Sequence, residues 1–377
     1  MFTTQKIAIV SVINDLVTDN RVNKTCLTLR SCGYDVILIG RKLPGSLPLP
    51  DWPFKSHRLR LWFRKGPLFY LFFNLRLFFQ LLFRKSHLLY ANDLDTLLPN
   101  YLVARLKGVP LIYDSHELFC EVPELQQSPV KRKIWLKLEG LIVPKLKTCI
   151  TVNDSIARLF GEKYHVRFES VRNISDPVPG FLPKTREALD LPAGKKIILL
   201  QGAGINVDRG AEELIDAMAF VENCLLLIIG GGDVWEVLQE KVRKQDLSAK
   251  VRLISKIPRQ ELMHYTYNAD LALSVDKNTN LNYYYSLPNK IFDYIHAGVP
   301  ILASDLPEIR QIIASYEIGE FISDHSPVHI AGRINDLLSS DRLFAYRRHM
   351  ARAQRELNWS AEQQKLRRII LSAGRPG

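Results

Sequence analysis

The sequence predicts an α/β protein built from two doubly wound parallel sheets, on three observations. Short apolar runs alternate with helical stretches along both halves of the chain, the pattern of parallel strands joined by crossover helices. Its 377 residues exceed the size at which one hydrophobic core remains sufficient, and a hydrophobic fraction of 47% can fill two. The stretch ISDPVPGFLPKTREALDLPAGK, with its Pro and Gly residues, separates the two series and puts a linker near residues 172–190.

In the first series KIAIVSV and DVILIG read as strands around the helix RVNKTCLTLRSCG. HLLYAND follows a basic segment as a third strand, then the helix TLLPNYLVARLKG, then strands VPLIYDSHE and TCITVND. The second series runs KIILLQGAG, helix GAEELIDAMAFV, CLLLIIGGG, helix WEVLQEKVRKQ, VRLIS, helix RQELMHYTYNA, LALSV, a short helix and VPILASD. That short helix lies in SLPNKIFDYIHAGVPILASD, residues 286–305, between Pro288 in a first turn and Gly298 as a C-terminal cap. At a hundred degrees per residue, Ile291, Phe292 and Ile295 share one face, while Asn289, Lys290 and Asp293 gather on the other. A buried strand is expected over 299–303. The tail, 339–371, reads as helical and amphipathic.

In open parallel sheets a ligand sits beyond the carboxyl ends of the strands. The polar residues at such ends are Asn14 and Asp15, Asp93, His116 and Glu117, Asn153 and Asp154, Gly202 to Arg209, Gly230 to Asp233, and Asp305. Two such sheets facing each other would form a cleft suited to a substrate.

Composition narrows the partners. A net charge of +12, with a pI near 9.4, implies an anionic partner: nucleic acid, phospholipid or a phosphorylated substrate. The five cysteines are scattered, odd in number and without metal-ligand spacing, which indicates a reducing compartment and hence the cytoplasm. The N-terminal apolar stretch is too short for a signal peptide.

Residues 55–85 contain Lys55, Arg58, Arg60, Arg64, Lys65, Arg76, Arg84 and Lys85 with no acid, interleaved with aromatic residues. Asn74, Arg76 and Gln80 interrupt its apolar runs, against a membrane-spanning helix, and the long Phe and Leu runs exceed what base stacking needs. Two readings stay open. One is interfacial docking on anionic lipid, with Arg64, Lys65, Arg84 and Lys85 as the contacts; the other is a helix that covers the sheet and has a basic rim.

QGAGINVDRG follows a buried strand and precedes a helix. Its glycines, Gly202 and Gly204, can bring backbone N–H groups near an anion, and Arg209 adds a full positive charge. Its glycine spacing departs from the dinucleotide fingerprint. IIGGGD, with Gly231, is a second strand-to-loop glycine cluster.

On GAGINVDRGAEELIDAM, LLLIIGGGD, LPNKIFDYIHAGVPILASDLPEI and NWSAEQ, with the weaker DNRVNKTCLTLRSCGYDV, YDSHELF and VRNISD, the chain resembles glycosyltransferase family 4, retaining nucleotide-sugar-dependent enzymes of the GT-B fold. The resemblance implies two Rossmann-like domains facing across a cleft: an acceptor domain at 1–175, a donor domain at 176–345, and a helical tail at 346–377 whose helix returns to the N-terminal domain. It implies that Asp293 hydrogen-bonds the nucleotide ribose, that Asn289 and Lys290 at the helix N-terminus face the diphosphate, and that Gly202, Gly204, Arg209 and Gly231 belong to the donor site. His116 is implied to lie near the donor sugar as a catalytic residue, with Asp93 and Asp15 as acceptor-side groups. The paired acids of the family correspond here to Tyr285 and Asp293, Ala203 stands where many relatives have Arg, and Arg209 where they have Lys.

The expected activity is transfer of a sugar from a nucleotide-diphosphate sugar to a saccharide or lipid-linked acceptor in cell-surface polysaccharide or glycan synthesis. It needs no metal or other cofactor and no nucleic acid; the enzyme is expected in the cytoplasm or peripheral on the inner face of the membrane. The alternatives are a nucleotide-sugar epimerase of the same fold and a catalytically silent partner subunit.

Overall fold

A computed structural model describes residues 6–17, 19–178 and 180–374. The chain divides into two compact units: one contains the chain up to Asn173 together with Ser360 onward, the other Ile174–Trp359.

The first unit is a sheet of seven strands, all paired in parallel, in the order β3-β2-β1-β4-β5-β6-β7. In chain order its elements are β1 (Lys6–Ser11), α1 (Asn20–Ser31), β2 (Tyr34–Arg41), β3 (Lys55–Leu59), α2 (Gly66–Phe83), β4 (Leu88–Asn92), α3 (Leu94–Lys107), β5 (Leu111–Ser115), α4 (Pro123–Gln126), α5 (Pro129–Ile142), β6 (Thr148–Thr151), α6 (Asp154–Tyr164) and β7 (Phe168–Ser170). The order reverses between β1 and β4, the point at which such sheets open a crevice.

The second unit repeats the plan with six parallel strands, β10-β9-β8-β11-β12-β13, and its reversal lies between β8 and β11. It contains β8 (Lys196–Gly202), α7 (Ala211–Ala217), β9 (Cys224–Gly230), α8 (Trp235–Lys244), β10 (Val251–Ser255), α9 (Arg259–Asn268), β11 (Leu271–Ser274), α10 (Leu281–Tyr284), α11 (Lys290–Ala297), β12 (Ile301–Ser304), α12 (Pro307–Tyr316), β13 (Gly319–Ile322), α13 (Pro327–Leu338) and α14 (Arg342–Glu356). The final helix, α15 (Trp359–Ala373), belongs almost wholly to the first unit. There Gln363 reaches Thr28 Oγ1 and Glu362 accepts the Arg172 N–H.

Three strands escape the sequence reading, β3, β7 and β13, and all three are sheet edges. An edge strand is only half covered, so it lacks the continuous apolar run that marks a central one. β9 shows the contrast, with all seven residues buried. Two boundaries also move. The expected helix at Pro288 begins at Lys290, because its first bonds are turn-like, Ile291 N–H to Pro288 O and Phe292 N–H to Asn289 O. The strand expected from 299 begins at Ile301, where the N–H bonds Ile318 O, since Pro300 has no N–H to give the ladder.

The basic segment 55–85 is two elements, strand β3 and helix α2. Along α2, Phe69, Phe73, Leu77 and Leu81 recur every four residues and pack into the core with Ile9, Ile39 and Leu89. Leu68, Leu71, Leu75, Phe79 and Phe83 form the opposite stripe and are exposed. The helix both covers the sheet and presents an apolar face. At 18 residues and a mean hydropathy of 1.4 it is long and apolar enough to cross a membrane by composition alone.

Candidate functional site

Within the second unit, the glycine loops, Arg209 and Lys290 predicted for a donor lie about the reversal of the sheet between β8 and β11. Beyond β8 the loop 203–210 lies on the loop after β9. A Cβ at Gly230, where φ is +155°, would stand 1.8 Å from the Gly202 carbonyl oxygen, and one at Gly232 would stand 2.0 Å from that of Ile205. Only glycine permits this contact. Reciprocal bonds tie the loops further: Asp233 Oδ1 accepts the Val207 N–H at 3.0 Å and Asn206 Oδ1 accepts the Asp233 N–H at 3.3 Å. By contrast a Cβ at Gly231 would meet nothing within 4 Å, and one at Gly204 only the Asn206 side chain at ordinary contact distance. Internal packing therefore does not demand glycine at these two positions.

Arg209 and Lys290 converge on one carboxylate. Arg209 Nη1 lies 2.9 Å from Asp276 Oδ1, and Lys290 Nζ 3.3 Å from Asp276 Oδ2. Asp276 is fully buried just beyond β11. Burial opposes its ionisation, but Lys290 and Arg209 outweigh that and hold its carboxyl below the usual range. Burial depresses the Lys290 ammonium, with Asp276 acting against it. The Arg209 guanidinium stacks 4.0 Å above the Tyr283 ring, and its Nε is buried without a hydrogen-bond partner. Two cations on one anion leave an excess positive charge here.

Asp293, on the same helix as Lys290, points to different partners. Ser175 Oγ donates to its Oδ1 at 2.6 Å, Gln201 Nε2 to its Oδ2 at 3.2 Å, and Arg259 lies 3.3 Å from Oδ1. Asn289 is exposed as the N-cap of α11 and makes no side-chain cap bond. The polar face of this helix is thus divided between two half-buried networks and solvent.

In the first unit, β4 and β5 end on a charged cluster. His116 Nδ1 lies 3.2 Å from Asp93 Oδ2, its Nε2 3.7 Å from Asp114 Oδ2, and its backbone N–H donates to Asp93 Oδ1 at 2.8 Å. Burial disfavours the imidazolium, yet the two carboxylates outweigh it and lift His116 to about 9. Asp93 holds this position with φ 60° and ψ 167°, a region that costs a residue with a Cβ about 1–3 kcal/mol. Asp114, buried inside β5, binds Arg21 in a two-pronged pair at 2.7 and 3.2 Å, and Tyr90 donates to it at 2.8 Å.

Asp15 does not join this cluster. It accepts from Ser46 Oγ and from the Val17 N–H at 3.0 Å, and it pairs with Arg58 at 3.2 Å, pinning the loop after β1. Arg64 and Lys65 line a cavity at the start of α2. Arg84 bonds Gln80 at 2.8 Å near the end of α2, and Lys85 is exposed. Other strand-end residues have local duties: Asn153 caps α6 and Asp305 pairs with Arg310. Among the described residues no group of three or more His, Cys, Asp or Glu side chains is placed to hold a metal ion.

Sequence reasoning missed Asp276, Asp114, Arg259 and Gln201. Asp276 had a usable signal, an acid two residues past the apolar run LALS at the strand where the order reverses. Asp114 had one too, an acid inside the apolar strand LIYDS. Nothing local marks Arg259 or Gln201 as partners of Asp293.

Two family models match the chain: Glycosyltransferase Family 4 over residues 20–179 and Glycosyl transferases group 1 over residues 183–357. No curated protein matches it. Among solved structures it is similar to sucrose-phosphate synthase from Thermosynechococcus elongatus, at 19% identity over 98% of each chain with a TM-score of 0.79. It is also similar to HepE of Anabaena in complex with UDP, at 15% identity over 97% of this chain and 100% of that one, TM-score 0.71. A third is WaaG, a glycosyltransferase involved in lipopolysaccharide biosynthesis, at 15% identity over 97% and 99%, TM-score 0.73. With two parallel sheets that share the 3-2-1-4-5-6 order, the first extended by a seventh strand, and a glycosyltransferase model over each half, the chain belongs to the GT-B-fold glycosyltransferase superfamily.

Proposed function

We propose that this protein transfers a sugar from a nucleotide-diphosphate sugar to a saccharide or lipid-linked saccharide, with retention at the anomeric carbon, in the synthesis of a cell-surface polysaccharide or glycan. The observation that carries the reading is the pairing of Arg209 and Lys290 on Asp276 beside two glycine loops. One excess positive charge, the unpartnered Arg209 Nε and backbone at Gly204 and Gly231 open to close approach suit a diphosphate. Solved relatives in complex with UDP support the choice of ligand class. Asp293 would give one of its present protein partners to the ribose hydroxyls.

In a retaining transfer the bond from the anomeric carbon to the diphosphate oxygen breaks as the acceptor oxygen bonds that carbon on the same face. The acceptor proton passes to the departing phosphate. His116 contributes as a cation and hydrogen-bond donor rather than as a base, because Asp93 and Asp114 keep it protonated. No step in this scheme calls on a metal ion.

Calorimetry with UDP, GDP, ADP and the corresponding nucleosides tests the donor site. Asp293→Ala should weaken nucleotide and nucleoside alike by about 1–3 kcal/mol, the scale for a charged hydrogen-bond partner. Arg209→Ala and Lys290→Ala should weaken the diphosphate far more than the nucleoside, and equal losses would refute their phosphate role. Product analysis with and without acceptor separates transfer from epimerisation, and failure of every nucleotide to bind would favour a silent subunit.

The same reading puts the protein on the inner face of the cytoplasmic membrane. Its support is the exposed stripe of α2, Trp62 at 86% exposure before it, and the neighbouring α5. Tyr70 of α2 meets Trp135 of α5 edge-on at 5.2 Å, and α5 adds exposed Val130 and Ile134 beside Lys131, Lys133 and Lys137. An apolar surface of this extent rimmed by cations suits the headgroup boundary of an anionic bilayer.

A further inference from the structure

The first unit contains a cavity of about 380 Å³ at the reversal point of its sheet, and its wall brings together Arg41 from the end of β2, Arg64 and Lys65 from the start of α2, Asp93 beyond β4 and Asp95 in the first turn of α3. The charges on this wall are unevenly satisfied. Asp93 is neutralised by His116. Asp95 is 5% exposed, and its Oδ1 is buried with no hydrogen-bond partner; burial and the neighbouring Asp93 push its carboxyl well above the usual range. Glu117, also on the wall, has partners of its own.

The three cations have no such balance. Among the described residues none of Arg41, Arg64 and Lys65 forms an ion pair, whereas Arg21, Arg58 and Arg132 in the same unit all do. Arg41 lies over the Phe69 ring at 4.8 Å, which fixes its guanidinium, and its Nε is buried and unpartnered. Lys65 caps α2 without any side-chain cap bond, so first-turn N–H groups of an 18-residue helix add to the field at Gly66.

We propose that this cavity binds the sugar acceptor through a phosphate group, held by Arg41, Arg64, Lys65 and the N-terminus of α2, while Asp93 and Asp95 bind sugar hydroxyls. The inference rests on the glycosyltransferase reading and adds to it the acceptor class, a phosphorylated saccharide. A phosphate offers oxygens for planar guanidinium and point-charge donors together. The unpartnered Oδ1 of Asp95 on the cavity wall offers a sugar hydroxyl an acceptor. The phosphate can arrive on a soluble sugar or on a lipid carrier. Phe69 and Tyr70 of α2 line the cavity, and Leu68 and Leu71 beside them in the same helix begin its exposed apolar stripe, along which a lipid chain would lie.

Calorimetry on the intact chain, with and without saturating UDP, decides it. The probes are glucose 6-phosphate, farnesyl diphosphate in neutral detergent, and glucose as the uncharged control. At least one phosphate should bind at one per chain with UDP present, glucose should not bind in the same range, and Arg64→Gln/Lys65→Gln should weaken the phosphate at least tenfold while UDP affinity is kept. Both side chains are exposed, so this variant does not threaten the fold; Arg41→Gln should have the same effect. Binding of glucose 6-phosphate alone identifies a soluble acceptor, and binding of farnesyl diphosphate alone a lipid-borne one. Equal binding of glucose, or phosphate binding indifferent to the three cations, overturns the inference. If UDP binds and neither phosphate does, the inference falls and the donor reading stands. If a phosphate binds through these cations and no nucleotide does, the donor reading falls and the anion site stands.

Discussion

His116 stays protonated at neutral pH because two carboxylates flank it, and that gives its ion pairs a defined dependence on pH. The folded-state value of about 9 lies above the 6.5 of a free imidazole. Its contribution to stability is therefore complete below about 6.5 and disappears as the pH rises through about 9. The shift corresponds to on the order of 3 kcal/mol. Thermal unfolding of the parent and of His116→Gln should show a gap in midpoint that narrows across that window. A gap constant from pH 6 to 10 would mean that the histidine is neutral in the fold. His116 was visible in YDSHELF as a residue just past a strand. Its charge was not, because Asp93 and Asp114 come from two different strand ends and only the pairing of β4 with β5 brings them to one imidazole.

Helix α2 shows how one element can carry two apolar stripes with different fates. Phe73 is fully buried, whereas Leu71, two residues earlier, is 60% exposed. Phe73→Ala should cost about 3–5 kcal/mol through lost burial and the cavity it leaves, and Leu71→Ala should stay within about 0.5 kcal/mol. Urea unfolding monitored by circular dichroism measures both, and comparable losses would place Leu71 in the core. Periodicity alone cannot make this distinction. In GPLFYLFFNLRLFFQLLF almost every position is apolar, so no polar face marks the outside, and only packing against Ile9, Ile39 and Leu89 selects the inner stripe.

At the scale of the whole molecule, the net charge of +12 concentrates in the first unit around α2 and α5, which determines how the protein should respond to a charged surface. Liposome co-sedimentation should rise with the fraction of anionic lipid and fall only in part at high salt, since cations contribute about 1 kcal/mol each and are screened while the apolar stripe is not. Changing Arg64, Lys65, Arg84 and Lys85 to Gln should reduce it. Unaltered binding by that folded quadruple variant would leave α2 as a covering helix alone. The sequence by itself determined the two parallel sheets, their central strands and the residue types at the strand ends, because continuous apolar runs and glycine turns are local signals. It also identified Arg209, Lys290, Asp293 and His116 as polar residues in exceptional positions. What only the tertiary structure decided was their partners: Asp276 between Arg209 and Lys290, Gln201, Ser175 and Arg259 around Asp293, and Asp95 on one cavity wall with three cations that form no ion pair among the described residues. These groups lie up to 118 residues apart in the chain, and parallel strand order, which no local pattern records, determines which of them meet.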